Sequence, residues 1–191
     1  MSTLRLFVSS VQRELESERL AVAELIASDS FLHKHCEAIL FEQVPASTLP
    51  ADSAYIRALE SCDVYAGILG FEYGATGSDG LSATHREYLR AEQRRMPVLM
   101  FVKGAAERDE DRDRRTITLL DLVRHPATGH TYRRFLNYPE LKQRLRDALL
   151  PILGARGITP SSSEQIEFEQ TVVAASDFDT QPLMRVGESD L

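Results

Sequence analysis

The sequence predicts an α/β domain, a parallel sheet with helices on both faces. Three observations carry that expectation. Short apolar runs recur at LRLFV (4–8), CEAILF (36–41), DVYAGIL (63–69) and PVLMFV (97–102), each the length of a buried strand. The stretches between them place apolar residues at helical spacing, so strand and helix alternate about five times along the chain. The 191 residues suit one core of this kind, since single cores span roughly 100–200 residues.

The elements follow in order. Leu4–Val8 is the first strand, and Ser9-Ser10 ends it with residues suited to capping a helix. Glu14–Ser28 puts Leu15, Val22 and Ile26 on one helical face, with Leu25 beside them. Cys36–Phe41 is the second strand. Pro45 and Pro50 bracket a loop, and Asp52 or Ser53 opens a helix that runs to about Ser61. Asp63–Leu69 is the third strand, apolar after its first residue and stopped by Gly70.

A glycine-rich loop follows, with Gly70, Gly74, Gly77 and Gly80. Thr84–Arg95 is rich in helix formers, and Pro97–Val102 is the fourth strand. The charge run Glu107–Arg115 reads as a solvated loop or helix start. Thr116–Val123 is an amphipathic helix, and His130–Phe135 is a weaker fifth strand. Tyr138–Leu153 closes the body as a helix bearing Leu141, Leu145, Leu149 and Ile152. Beyond Gly154, Gly157, Pro160 and the serines 161–163 mark a linker, and no period is sustained to Leu191. The expected organisation is therefore an α/β domain over 1–154. An acidic linker or tail over 155–191 would lead toward a missing downstream module.

Charge supports that division. Of the net −7, residues 160–191 contribute seven acidic side chains and one basic, leaving 22 acidic against 21 basic in 1–159. A near-neutral body offers no broad basic surface for nucleic acid. No stretch approaches the roughly 20 apolar residues that span a bilayer, and the N-terminus MSTLRLFVSS lacks the basic segment and long apolar run of a secretory signal. Cys36 and Cys62 cannot build a disulfide framework, so a reducing, cytoplasmic setting is expected. His33, His35 and Cys36 stand together without a second cluster to complete a tetrahedral site, and no metal is expected.

In an open parallel sheet, ligands bind beyond the carboxyl ends of the strands, where strand order reverses. For the order 2-1-3-4-5 that point lies between the first and third strands. Ser9, Ser10 and Val11 then flank one side, and Gly70, Tyr73 and Gly74 the other. The serines either hold phosphate with hydroxyl and backbone N–H groups at a helix N-terminus, or simply cap that helix. Thr84 and Glu87 have the spacing of a capping box. Glu87 either serves that box or faces the crevice and acts on the anomeric carbon of a sugar. The glycines match neither a P-loop nor a dinucleotide fingerprint.

LFVSS (6–10), ELESER (14–19), FE (41–42), SCDVYAGILGFEYG (61–74), ATHREY (83–88) and MPVLMFVKG (96–104) together resemble the N-terminal module called domain of unknown function 4062. The resemblance covers Leu4–Leu153. Val11 stands where that family usually has threonine, and Glu14 where it usually has aspartate. The resemblance implies a flavodoxin-like, three-layer fold, grouped with the Toll/interleukin-receptor and nucleoside deoxyribosyltransferase-like proteins. It implies that Glu87, in the pattern T-x-x-E-aromatic, is a catalytic glutamate. It further implies a sensing or effector module that binds a nucleotide such as NAD and cleaves its N-glycosidic bond, or acts like a deoxyribosyltransferase.

On that reading Ser9, Ser10, Val11, Gly70, Tyr73, Gly74 and Thr84 hold the ligand, no separate cofactor is required, and the setting is prokaryotic antiphage defence. The alternative is a non-catalytic module. It would self-associate or dock onto an attached NTPase or AlbA-like domain.

Overall fold

The computed structural model describes residues 3–40 and 51–179. The motif at 41–42, the loop bracketed by Pro45 and Pro50, and residues 180–191 lie outside them. Five strands form one sheet: β1 (Leu4–Ser10), β2 (Cys36–Ile39), β3 (Val64–Leu69), β4 (Val98–Lys103) and β5 (Tyr132–Phe135). Every pairing is parallel and the order is β2-β1-β3-β4-β5, as the sequence predicts. The helices are α1 (Glu16–Ser28), a single turn α2 (Leu32–His35), α3 (Ala51–Glu60), α4 (Ala83–Gln93), α5 (Arg114–Val123), α6 (Tyr138–Gly154) and α7 (Ser162–Asp179).

The twofold alternation of the strands sorts the core into two halves. Leu4, Leu6, Val8, Val64, Ala66 and Ile68 point to the side covered by α1 and α6, where they meet Val22, Leu25, Leu141 and Leu145. Phe7, Tyr65, Leu69, Met100 and Val102 point to the other side and meet Leu59 of α3, Tyr88 of α4 and Leu119 of α5. Each such leucine or phenylalanine contributes roughly 1.5–3 kcal/mol when fully buried. β3 is buried at every position because it is central and covered on both faces.

Two segments differ from a plain loop or linker. Of the two expectations for Glu107–Arg115, loop or helix start, the structure takes the second: Ala106–Asp111 winds as a 3-10 turn and Arg114 already opens α5. The segment expected as a linker contains a helix, α7, although no clear apolar stripe marks it. Phe168 of α7 packs under the Arg146 guanidinium at 4.2 Å, and Lys34 pairs with Glu164 at 2.8 Å. One aromatic anchor and an ion pair seat this helix, so no repeating period was needed. Among the described residues no helix is long and apolar enough to cross a membrane.

Candidate functional site

β1 and β3 are adjacent, but the chain leaves them for opposite faces of the sheet, toward α1 and toward α4. Their outgoing loops diverge and leave a crevice at the carboxyl end. A cavity of about 790 Å³ opens there. Ser10 lines it from the end of β1 and Val11 from the turn that follows, Tyr73 and Gly74 from the loop after β3, and Thr84 and Glu87 from α4. The end of β1 and the residues that follow β3, more than 60 positions apart in sequence, meet at this one opening.

Glu87 is held in a way that spacing could not reveal. The cap of α4 is Ser82, whose Oγ accepts the His85 N–H at 3.3 Å, so Thr84 and Glu87 do not form the expected capping box. Glu87 sits beyond the first turn and is only 5% exposed. Ser9 Oγ donates to its Oε2 at 2.5 Å, the short distance of a hydroxyl on a carboxylate. Below lies Tyr65, fully buried; burial drives its phenol pKa far up, and the Glu87 charge adds to the effect. A neutral phenol and a donating serine thus surround the inner side of the carboxylate.

Ser9 and Ser10 cap no helix. Both belong to β1, and α1 begins only at Glu16, so neither stands at a helix N-terminus. Ser9 is turned toward Glu87 and is not on the cavity lining, whereas Ser10 is. Ser10 Oγ accepts Arg19 Nη1 at 3.1 Å, and the same nitrogen reaches the Val8 carbonyl. Arg19 is 3% exposed and lines the cavity, a placement its helical position in the sequence did not announce.

The opposite wall is the loop after β3. Gly70 lies behind the cavity surface and not on it; its carbonyl accepts Arg112 Nη1. Tyr73 is 5% exposed yet lines the cavity. Its hydroxyl bonds His85 Nδ1 at 2.7 Å and the Arg115 guanidinium covers its ring at 4.7 Å. Burial lowers the His85 pKa, against the pull of Asp79, so the imidazole favours its neutral form. Gly74 takes φ +83°, a conformation open to glycine at little cost.

The charge run supplies a third wall. Arg112 has no exposed side-chain surface; it donates to the carbonyls of Gly70 and Lys103 and pairs with Asp109 at 2.9 Å. The Asp113 N–H donates to the Phe71 carbonyl at 2.9 Å. These bonds pin residues 109–115 over the ends of β3 and β4, and Asp111, Asp113 and Arg115 line the cavity. The nearby Arg115 guanidinium holds the Asp113 carboxyl down to about 2. Charged residues at this density read as solvated, and only the tertiary contacts show where they go. Among the described residues no three His, Cys, Asp or Glu side chains cluster as metal ligands.

A family model for the domain of unknown function (DUF4062) matches residues 5–150, more than half of the chain. The chain belongs to this family. Among solved structures, the DUF4062 chain is similar to the CMP N-glycosidase BcmB of Clostridium botulinum, at 16% identity and a TM-score of 0.46, over 74% of this chain and 97% of that one. A likeness of that degree says nothing about what the DUF4062 chain binds. No curated protein matches it.

Proposed function

We propose that this DUF4062 chain binds a nucleotide-type ligand such as NAD and cleaves its N-glycosidic bond, with Glu87 as the catalytic residue. The observation that carries the reading is the Glu87 carboxylate on the wall of the switch-point cavity, aimed by Ser9. In the reaction the bond between ribosyl C1′ and the nicotinamide nitrogen breaks, and its electron pair leaves with nicotinamide. Positive charge grows on C1′ and the ring oxygen, where the fixed carboxylate stabilises it. Water adds to C1′ and releases its proton. Ser10 and Val11 hold the phosphate or ribose end, and Tyr73 offers a face to the base or ribose.

The test is incubation with NAD while following free nicotinamide, for the native chain and for Glu87→Gln. The amide retains an oxygen to accept from Ser9, so folding is kept while turnover is lost. No nicotinamide at high protein concentration, in the assembled state, overturns the enzymatic reading.

One observation favours a second reading, a non-catalytic module acting through assembly. Leu20 (58% exposed) and Tyr138 (45%) share one depression between α1 and α6. If a second copy covers it, Leu20→Lys shifts the protein to monomer by light scattering. A monomeric mass of the native chain at every concentration overturns that reading.

A further inference from the structure

The pairing of β1 with β3 ends at Ser10 and Ile68, so no ladder holds together the loops that continue from them. One side chain bridges these loops instead. Glu14, in the turn between β1 and α1, accepts the Phe71 N–H through Oε1 at 2.5 Å and the Glu72 N–H through Oε2 at 3.0 Å. Two successive backbone N–H groups form a small concavity suited to an anion, and here a carboxylate of the chain itself occupies it. Gly70 is part of the arrangement: a Cβ added there would fall directly on the Glu14 carboxylate. Tyr73 and Gly74 follow at once along the loop. A Cβ on Gly74 would come within 3.3 Å of Val11 Cγ2, so the two clasped loops already touch across the crevice.

The geometry points to Glu14 as a positioning residue: its carboxylate clasps the loop after β3 to the turn after β1 and thereby sets where the Tyr73 wall stands opposite Val11. Its consequence for turnover rests on the function proposed above, while the clasp itself does not. Glu14 reaches no reacting atom on this account and acts through the loop that it holds. A glycine at 70 and a glutamate at 14 are then one device, the first leaving the space that the second fills.

Two measurements test this separately. Hydrogen exchange on Glu14→Gln reads the clasp without any ligand: the Phe71 and Glu72 amides exchange faster while those of β3 stay protected. Unchanged exchange at these two amides overturns the clasp. Steady-state cleavage of NAD reads the positioning: in Glu14→Gln, KM rises about tenfold while kcat changes by less than about threefold. Faster exchange with an unaltered KM overturns the positioning role. Gly70→Ala alone raises KM as well, and adding Glu14→Asp lowers it again, because the shorter side chain vacates the place of the new Cβ. Simple additivity of the pair overturns the inference. Failure of the native chain to cleave NAD overturns the proposed function and, with it, the positioning role; exchange still decides the clasp.

Discussion

Ser9 Oγ, at the end of the first strand, donates to Glu87 Oε2 on the fourth helix at 2.5 Å, across 78 residues of sequence. The bond ties a strand end to a helix at the point where the strand order reverses, and it aims the only carboxylate that α4 brings to the cavity wall. Ser9→Ala leaves that buried carboxylate short of one donor. The expected cost is about 1–3 kcal/mol of stability, read from urea unfolding. Nicotinamide release falls with it, whereas Ser9→Thr keeps the donor and most of both.

Arg112 is the pin of the third wall. Arg112→Met removes a fully buried cation that serves two strand-end carbonyls and Asp109. Asp109 keeps its pair with Arg134, but the two carbonyls stay behind without their donor, and the expected loss is about 1–3 kcal/mol for each by denaturant unfolding. Arg112→Lys does not rescue it, since an ammonium cannot span the planar fork. A variant within about 1 kcal/mol of the native chain would show that the strap holds without the pin.

Gly67 lies mid-sheet in β3 with no room for a side chain. A Cβ there would meet Met100 Sδ at 2.6 Å and Tyr65 Cε1 at 2.9 Å. Gly67→Ala is expected to destabilise by about 1–3 kcal/mol through overpacking, seen as a lower unfolding midpoint. Gly67→Ala combined with Met100→Ala recovers part of that loss, since the thioether is the nearest obstacle.

His85 gives stability a pH dependence whose sign is fixed. Its pKa in the folded chain lies below the ordinary value near 6.5, because burial opposes the charged ring. As pH falls, the unfolded chain takes up the proton first, and stability drops between that ordinary value and the lower folded one. Above about 6.5 the contribution is fully present. Urea midpoints measured from pH 8 to pH 5 should fall more for the native chain than for His85→Gln. Equal slopes would place the imidazole in water.

Much of this was legible in the sequence because it depends on local pattern. Apolar runs of strand length gave strands within one or two residues of those observed, β1 running on through Ser9 and Ser10. Their alternation with helices pointed to a parallel sheet covered on both faces, and the family resemblance implied the flavodoxin-like order that the structure shows, β2-β1-β3-β4-β5. The same order located the crevice, and it gathers Ser10, Val11, Tyr73, Gly74, Thr84 and Glu87 there as expected.

Partnership was another matter, because a hydrogen bond between residues 58 or 78 positions apart leaves no periodic trace. Serine before a helix and glutamate three residues after threonine both carry strong local expectations of capping, and both side chains were claimed by distant partners instead. A dense charge run looks solvated until a buried arginine finds strand-end carbonyls. α7 escaped notice since a single phenylalanine can seat a helix. The sequence by itself determined the parallel sheet and its two covered faces, consequences of burying apolar surface, and its motifs pointed through the family resemblance to the strand order and the place of the opening. Only the tertiary structure decided which polar groups face that opening and which hold it in shape, because these depend on where folded segments meet.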